Sequence, residues 1–226
     1  SMIARLKRLD SLQAQAAEAL AAEDIGATRH VVSGLKRLYR GREDVTWGLN
    51  RLAEREAEQF DADALLGLAE TELLGPLDSA AMGEIEAAAR QVATVTELVP
   101  LALADVVAAL SANLRMIRRI ALVYGGRAGV VGNWRLARAV MAHLIATGAV
   151  AVGDDLLSSV AGGGLLSKLS RRFGEGMVNG ALTARVGVAA MEVCRPLPFA
   201  ALERPSVTGL VGRALTGILS ASKGSS

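Results

Sequence analysis

The sequence predicts an all-α fold, a multi-helix domain in which N-terminal amphipathic helices precede a hydrophobic, basic helical core. Three observations lead to this prediction. Hydrophobic residues make up 51% of the 226 residues, and over long stretches they recur at every third or fourth position. Only five prolines and few clusters of β-branched residues are present, which argues against a protein of many strands. The single cysteine excludes an internal disulfide framework, and the chain is too hydrophobic to be intrinsically disordered.

The first helices are amphipathic. After Ser1–Met2, which is typical of the remnant of a cleaved expression tag, apolar residues line one face of a predicted helix. They are Ile3, Leu6, Leu9, Leu12, Ala16 and Leu20. Asp24 and Gly26 interrupt this pattern, and a second helix is expected to end at Gly41. The pair has the size of one tetratricopeptide unit, but no second copy follows it in the sequence.

Aspartates and prolines mark the next boundaries. Asp61 can cap a helix whose end is predicted at Gly75–Pro76, and Asp78 can cap the helix after it. Pro100 is expected to end or kink that second helix. Near the C-terminus, the segment Arg195–Pro198 is predicted to be an extended connector before a last helix. The chain should therefore consist of helices separated by short polar or proline-containing segments.

The second part of the chain is more apolar than the first. Residues 98–113 contain one charge, Asp105, and residues 139–153 contain none when His143 is neutral. Because a helix needs about 18–20 apolar residues to span a bilayer, and Gly148 weakens the second stretch, both are predicted to be core helices. The mean hydropathy of +0.34 still makes an association with membranes a reasonable hypothesis.

Charge divides the sequence in a similar way. Residues 1–99 contain 11 Lys and Arg against 17 Asp and Glu, and residues 100–226 contain 14 against 6, so their net charges are −6 and +8. We therefore predict an acidic amphipathic helical region over residues 3–99, a hydrophobic basic helical domain over residues 100–221 and a disordered tail over residues 222–226. The two charged parts could meet different partners or attract each other, and the sequence favours neither interpretation.

The sequence lacks recognisable motifs for catalysis, cofactors or metals. No glycine-rich phosphate loop is present, and His30, His143 and Cys194 are too few and too dispersed to predict a zinc site. A Cys–His nucleophilic pair is left open, although a lone cysteine and a lone histidine are more often core residues. Asp154–Asp155 could bind a cation, but adjacent acids are more typical of the first turn of a helix. We therefore predict no catalytic, cofactor-binding or metal-binding residue, and no cofactor.

Arginines cluster around Gly125–Gly126, and they are the candidate interaction residues. They are Arg115, Arg118, Arg119, Arg127, Arg135 and Arg138. A basic surface beside apolar helices fits an anionic membrane, whereas a nucleic-acid interface would need more interleaved aromatic residues than Tyr124 and Trp134. A solvated face, on which each arginine is paired with an acid, is an equally good interpretation.

Small residues form a stripe on a helix predicted from Glu175 to Val193. They are Gly176, Gly180, Ala184 and Gly187, at spacings of four, four and three. Such a stripe lets another helix approach closely, so it is predicted to be a packing seam, either within the core of this chain or against another helix.

Several segments resemble one protein family. They are residues 114–121 with 124–127, 148–155, 174–176 with 179–180, 182–185 and 194–199. These segments are similar to the YcjF family of uncharacterised bacterial inner-membrane proteins. The resemblance covers nearly the whole chain after the first two residues, and it is most specific between Leu114 and Phe199.

The resemblance implies that the chain corresponds to the soluble C-terminal portion of such a protein. Family members carry a variable N-terminal region and two closely spaced transmembrane helices before this portion. The expected location is therefore the cytoplasmic side of the bacterial inner membrane. Family members are often encoded beside a P-loop NTPase-like protein and are associated with envelope stress. The resemblance carries over no catalytic residue.

The function expected first is that of a non-enzymatic interaction domain. Its partner would be a P-loop NTPase-like protein, an anionic membrane surface or a second copy of the chain, and not a nucleic acid. The alternative is a helical module that binds a lipid or another apolar ligand in a cavity. An enzyme is the least favoured class, because no site is recognisable. A flat apolar patch would favour the first function, and a deep apolar pocket with a few polar groups would favour the alternative.

Overall fold

The computed structural model describes residues 2–98, 102–125, 130–146 and 165–223, and within these ranges it contains helices and no strand. The predicted all-α fold is confirmed. The α-helices in these ranges are α1 (Met2–Ala21), α2 (Ile25–Tyr39), α3 (Thr46–Arg55), α4 (Ala62–Ala69), α5 (Gly75–Leu98), α6 (Ala102–Val123), α7 (Val130–Ala146), α8 (Leu165–Cys194) and α9 (Val207–Lys223).

The chain forms two compact units, each assembled from segments that are distant in sequence. Unit 1 contains residues 1–81, 121–129 and 191–204, and unit 2 contains residues 82–120, 130–190 and 205–226. The boundary predicted from composition, at residues 99 and 100, falls inside unit 2. The two divisions differ because charge varies along the chain, whereas packing joins segments from different parts of it.

In unit 1, α1 and α2 pack against each other. The contact is close, because a Cβ atom at Gly34 would lie 2.6 Å from Leu12 Cδ2. Asp24 is the N-cap of α2, and its carboxylate accepts a hydrogen bond from the Ala27 N–H at 3.0 Å. After α2 the chain turns at Gly41, where φ is +79°, a left-handed conformation that favours glycine. The helix boundaries predicted at Asp24 and Gly41 are therefore confirmed.

A wide helical turn joins α4 to α5, and the break predicted at Gly75–Pro76 is wrong. Asp61 caps α4 as expected, since its carboxylate accepts a hydrogen bond from the Ala64 N–H at 2.6 Å. A π-helical turn, Glu70–Leu74, then leads directly into α5. Pro76 is the second residue of α5 and has no backbone N–H, so the helix continues through this position without that one hydrogen bond.

The close approach of α3 to this π-helical turn depends on a glycine. Gly48 of α3 is buried, and a Cβ atom there would lie 2.1 Å from the Glu72 carbonyl oxygen. Non-bonded atoms cannot approach so closely, so a larger residue would push α3 away from the turn. The Glu72 carboxylate also meets Arg51 Nε at 3.1 Å and Arg55 Nη1 at 3.3 Å, and these ion pairs hold the turn against α3.

Asp78 is not the helix cap that the sequence predicts. It lies inside α5, and only 5% of it is exposed. The helical backbone continues upstream of Asp78 into the π-helical turn, so no free backbone N–H groups are available there for a cap. Its carboxylate instead meets side chains from distant parts of the chain.

Unit 2 combines the C-terminal part of α5 with α7, α9 and most of α6 and α8. Its buried apolar side chains recur at helical spacing, and they include Ile85, Ala89, Ala112, Met116, Ile120, Leu136, Val140, Leu144, Val188 and Leu210. Arg213 Nε lies 2.5 Å from Glu86 Oε1, and Arg90 Nε donates to the Ala214 carbonyl at 3.3 Å. These two contacts join α9 to α5.

Two helices near the C-terminus are longer than the sequence predicts. α8 begins at Leu165, upstream of the start predicted at Glu175. α9 begins after Ser206, whose Oγ accepts a hydrogen bond from the Gly209 N–H at 3.3 Å, and it continues to Lys223. Residues 222 and 223, predicted to belong to a disordered tail, are therefore helical. Outside the described residues lie Pro100, Gly148, Asp154–Asp155 and residues 224–226.

Candidate functional site

A polar cluster is buried in unit 1, and Arg195 is at its centre. Arg195 directly follows α8, and only 1% of it is exposed. Two buried carboxylates lie against it, Glu70 from the π-helical turn and Asp78 from α5. Two buried tyrosines, Tyr39 at the end of α2 and Tyr124 after α6, complete the cluster. Residues from four separate segments of the chain thus meet at one point.

Each N–H group of the Arg195 guanidinium has an acceptor. Nε donates to Asp78 Oδ1 at 3.0 Å, and Nη2 donates to Asp78 Oδ2 at 2.8 Å and to Glu70 Oε1 at 2.9 Å. Nη1 donates to the carbonyl oxygens of Leu197 and Pro198, at 2.9 Å and 2.7 Å. Because a guanidinium has five N–H donors, no donor remains for a ligand.

The two carboxylates are satisfied as well. Glu70 accepts hydrogen bonds from backbone N–H groups of the connector, at 2.7 Å from Ala201 and 3.2 Å from Ala200. Asp78 Oδ1 accepts a hydrogen bond from the Tyr124 hydroxyl at 2.5 Å. A buried charge is tolerated when it is both paired and hydrogen-bonded, and both carboxylates meet this condition.

Burial and neighbouring charges shift pKa values in the cluster. Burial lowers the pKa of Arg195, but the hydrogen bonds and charges of Asp78 and Glu70 outweigh this effect, so the pKa lies above its ordinary value. Burial, followed by the charge of Asp78, raises the pKa of Tyr124, and burial also raises the pKa of Tyr39. At neutral pH, Arg195 is therefore charged and both tyrosines are neutral.

The cluster fixes the connector between α8 and α9. The connector is non-helical, as the sequence predicts, and Arg195 binds two of its carbonyl groups while Glu70 binds its N–H groups. The Arg195 guanidinium also lies over the Phe199 ring, with Cζ 3.9 Å from the ring centroid. Since the guanidinium is buried and has no free donor, we assign this cluster a structural role and look for binding elsewhere.

The arginines singled out in the sequence fall into different environments. Arg115, Arg118 and Arg138 are exposed and form no ion pair with any acidic residue that the structure describes. Arg119 is exposed too, but its Nη1 lies 3.0 Å from Glu84 Oε2. Of these four arginines, only Arg119 is therefore paired with a described acid, as the interpretation of a solvated face with paired arginines requires. The remaining two are Arg127, which lies outside the described residues, and Arg135, of which only the backbone is described.

On α6, exposed leucines precede the arginines. Leu110 is 59% exposed and Leu114 is 37% exposed. Leu110, Leu114 and Arg118 are each four residues apart, so they follow one another along one side of the helix, rotated by about 40° at each step. These three residues are referred to as the α6 strip.

A similar arrangement occurs on α7. Met141 and Ile145 are 54% and 66% exposed, whereas Leu136 and Val140 on the same helix are buried. Arg138 precedes Met141 by three residues, and Ile145 follows it by four, so the three share one exposed face. Arg138, Met141 and Ile145 are referred to as the α7 strip. Both strips combine large exposed apolar side chains with an arginine that has no described acidic partner.

A small cleft lies between α5 and α6 within unit 2. Its volume is about 120 Å³, and its lining residues are Glu84, Ala87, Ala88 and Gln91 on α5, and Ala112, Arg115, Met116 and Arg119 on α6. On each helix these residues occupy positions i, i+3, i+4 and i+7, which form one face. The ion pair between Arg119 and Glu84 crosses from one wall to the other.

The predicted small-residue stripe includes residues that lie against α5. Gly180, Ala184 and Gly187 are buried. A Cβ atom at Gly187 would lie 2.5 Å from Ile85 Cγ1, and one at Gly180 would lie 3.4 Å from a backbone carbonyl oxygen of α5. The absence of a side chain at Gly187 thus lets α8 approach α5 closely, whereas a Cβ atom at Gly180 would make an ordinary van der Waals contact. Gly176, the fourth residue of the stripe, lies in the part of α8 for which only the backbone is described.

A family model described as "Domain of unknown function (DUF697)" matches residues 60–219, which is well over half of the chain. The chain belongs to the DUF697 family. The matched range contains both strips, the cleft between α5 and α6, the small-residue stripe and the three charged residues of the buried cluster. It begins immediately before α4, so the first three helices precede it.

Curated proteins similar to this DUF697 chain are named UPF0283 membrane proteins. One from Mesorhizobium japonicum is 46% identical over 205 residues, one from Rhizobium meliloti is 46% identical over 208, and one from Sinorhizobium medicae is 47% identical over 203. These alignments cover 90–92% of the chain but only 56–58% of the relatives, so the chain spans little more than half of their length. No solved structure matches the chain.

These matches establish the family of the chain, and the similar proteins are named as membrane proteins. The finer resemblance to the YcjF family stays a prediction. Among the helices that the structure describes, none is long and apolar enough to cross a bilayer.

The buried cluster was missed by the sequence analysis, although a signal for it was present. Glu70 and Asp78 are eight residues apart, which places them on nearly the same side of a helix, and their neighbours Leu73, Leu74 and Leu77 are buried. Two acids on an apolar face are a signal of buried ionic contacts. Their partner Arg195 is 117 and 125 residues away, and nothing in its own surroundings distinguishes it from an exposed arginine.

Proposed function

We propose that this chain is a non-enzymatic binding domain that contacts the anionic surface of the bacterial inner membrane from the cytoplasmic side. The α6 strip and the α7 strip would form the contact. One observation carries the proposal: on both helices, large exposed apolar side chains lie next to arginines that have no described acidic partner.

An anionic lipid surface matches both components of the strips. Each lysine or arginine close to such a surface contributes about 1 kcal/mol of attraction. Apolar side chains such as Leu110 and Ile145 can enter the boundary between headgroups and acyl chains, where about 25 cal/mol is gained per Å² removed from water. Electrostatic attraction of the arginines and insertion of the apolar side chains would thus both contribute to a reversible contact with the membrane.

The names of the relatives support a location at a membrane, because they are called membrane proteins. The resemblance to the YcjF family supports the inner membrane, its cytoplasmic side, a P-loop NTPase-like partner and a role in envelope stress. Of these proposals, the contact with lipid is the one that the exposed residues support directly.

The alternative, a cavity for a lipid or another apolar ligand, has less support. A cleft of about 740 Å³ lies between α1 and α2, but it is open to solvent. Glu18, Asp24 and His30 line it together with small apolar residues. Sites for apolar molecules are mostly enclosed and apolar, so this cleft does not favour the alternative.

Binding to vesicles at several salt concentrations tests the proposal. The protein should sediment with vesicles of phosphatidylcholine mixed with phosphatidylglycerol, and not with vesicles of phosphatidylcholine alone. The variant Arg118→Gln/Arg138→Gln should bind about 30-fold more weakly at low salt, because it loses two attractions of about 1 kcal/mol each. The variant Leu114→Ser/Ile145→Ser should bind more weakly at every salt concentration, because insertion of apolar groups is not screened.

A matched control separates the strips from net charge. Arg37 and Arg40 are exposed residues of unit 1, and Arg37→Gln/Arg40→Gln removes the same number of charges. This control should bind nearly as well as the parent protein if the strips make the contact, because it leaves both arginines of the strips in place. Equal binding to both kinds of vesicle, equal losses in the two arginine variants, or no binding at low salt would contradict the proposal.

A further inference from the structure

The cleft between α5 and α6 is a concave site next to the α6 strip. Ala88, Ala112 and Met116 are buried at its base, whereas Ala87 and Gln91 are exposed. Three of its eight lining residues are alanines, and their short side chains leave the space of about 120 Å³ between the two helices. The cleft therefore has an apolar base and a polar rim.

Two guanidinium groups line this cleft. Arg115 and Arg119 are four residues apart on α6, so their side chains leave the helix on the same side. Arg119 is paired with Glu84, whereas Arg115 has no acidic partner among the described residues. The cleft thus carries two positive charges against one negative charge, and Gln91 adds an uncharged amide to its lining.

This combination suits a phosphate group. A guanidinium presents parallel N–H donors that match two phosphate oxygens, and a tetrahedral phosphate can be bound by two guanidiniums at once. The phosphodiester of a phospholipid has two charged oxygens and one negative charge, which matches the excess of one positive charge among the residues that line the cleft. The exposed Leu114 belongs to the neighbouring α6 strip, which in the proposed function enters the lipid surface, so a phosphate bound next to that strip would be attached to an apolar molecule.

We propose that the cleft between α5 and α6 binds the phosphate of a phospholipid headgroup, with Arg115 and Arg119 as its ligands. The inference rests on the proposed function, since it names the chemical group that is recognised at the membrane surface. Arg118 lies on the same helix but does not line the cleft, so its contribution is attraction to the surface as a whole.

A matched pair of arginine variants tests the inference. Arg115→Gln and Arg118→Gln each remove one exposed charge from α6 that has no acidic partner among the residues that the structure describes. Arg118→Gln should weaken binding to phosphatidylglycerol-containing vesicles by about fivefold, the effect of one lost surface charge. Arg115→Gln should weaken it by about 50-fold, because hydrogen bonds to a bound phosphate are lost in addition.

A variant that keeps the charge tests the cleft itself. Ala87 is exposed at the cleft, so Ala87→Leu fills the cleft without changing the charge of the protein. It should weaken vesicle binding about tenfold, because the phosphate no longer fits between the helices. Ala142→Leu, at an exposed position of α7, adds the same group outside the cleft and should not weaken binding. Circular dichroism melting curves show whether each variant is folded.

The possible outcomes separate the inference from the proposed function. If the parent protein does not bind anionic vesicles, the proposed function fails, and the inference fails with it. If the parent binds, but Arg115→Gln and Arg118→Gln behave alike or Ala87→Leu binds like the parent, only the inference is overturned. Inorganic phosphate, at a concentration equal to that of the lipid phosphate, should not displace the protein from vesicles. Displacement would assign the cleft to a free anion and overturn the lipid assignment.

Discussion

Arg195 in unit 1 is almost fully buried and meets two carboxylates, whereas Arg115, Arg118 and Arg138 in unit 2 are exposed and meet no described acid. Removing a charge from water costs several kcal/mol, and the cost is offset only when hydrogen bonds and opposite charge replace the lost water. Arg195 meets this requirement with all five of its donors. The exposed arginines remain hydrated, so they need no opposite charge or protein hydrogen bond to compensate for lost water.

The comparison teaches that the same residue type contributes to different properties in the two units. In unit 1, a buried charge fixes how the connector folds back onto α4 and α5. In unit 2, charge lies on the exposed faces of α6 and α7, and the contact between α5 and α8 is made by small residues instead. Stability should therefore depend on charge in unit 1, and binding should depend on charge in unit 2.

The largest effect is expected at Arg195. Arg195→Met should lower the free energy of unfolding by about 3–5 kcal/mol, because Glu70 and Asp78 would be left buried without a counter-charge. The matched control is Arg204→Gln, which removes an ion pair between the exposed Arg204 and the partly buried Glu192 and should cost about 1 kcal/mol or less. Urea denaturation followed by circular dichroism measures both. Similar losses for the two variants would contradict the contrast between buried and exposed arginine.

A pair of glycine variants tests whether unit 2 depends on close packing. Gly187→Ala should destabilise the protein by about 1–3 kcal/mol, because its Cβ would lie 2.5–2.9 Å from three atoms of the buried Ile85 side chain. Gly212→Ala on α9 meets open space and should stabilise the protein by about 0.5–1 kcal/mol, since alanine favours a helix. Thermal unfolding of the two variants decides the matter, and a stabilised Gly187→Ala would show that α8 does not pack closely on α5.

The two buried tyrosines provide a sharper comparison within the cluster. Tyr124→Phe removes a hydrogen bond to the buried carboxylate of Asp78 and should cost about 1–3 kcal/mol. The Tyr39 hydroxyl is buried without a hydrogen-bond partner in the described part of the chain, so Tyr39→Phe should change stability by no more than about 0.5 kcal/mol, or increase it. Denaturant titrations of both variants measure the difference. Equal losses would mean that the bond to Asp78 contributes nothing.

High pH should weaken the folded state through the same tyrosines. The pKa values of Tyr39 and Tyr124 are raised above their ordinary value of 10 in the folded state. As the pH rises above 10, the unfolded chain loses these protons first. The stabilisation is therefore complete below pH 10 and falls by up to about 1.4 kcal/mol per pH unit for each tyrosine.

Stability measured between neutral pH and the alkaline range tests this effect. The decrease above pH 10 should be smaller in Tyr124→Phe than in the parent protein, because one titrating group is removed. A decrease of the same steepness in both proteins would show that Tyr124 does not cause it.

The smallest effect on folding is expected at the exposed arginines. Arg118→Gln should change the free energy of unfolding by less than about 0.5 kcal/mol, because no described ion pair is lost. The same variant should bind anionic vesicles more weakly. A clear loss of stability in Arg118→Gln would show that this arginine supports the fold, and the contrast between the two units would not hold.

Features that depend on near neighbours could be predicted from the sequence. The apolar face of α1, the caps Asp24 and Asp61 and the turn at Gly41 all follow from residues within a few positions of one another. A prediction from local sequence failed where tertiary packing favoured a different backbone conformation. Gly75–Pro76 was expected to end a helix, but packing of the π-helical turn against α3 keeps the chain helical through it.

By itself, the sequence determined that this protein is helical, where a few of its N-terminal helices begin or end, and that its second part is apolar and basic. Helical periodicity and capping act over one or two turns, so a single sequence is enough to recognise them. Only the tertiary structure decided which charges are buried. Asp78 and Arg195 are 117 residues apart, and each resembles an ordinary surface residue until the fold brings them to 2.8 Å. The same holds for Arg115, because only the fold shows that no acidic residue of the described part of the chain pairs with it.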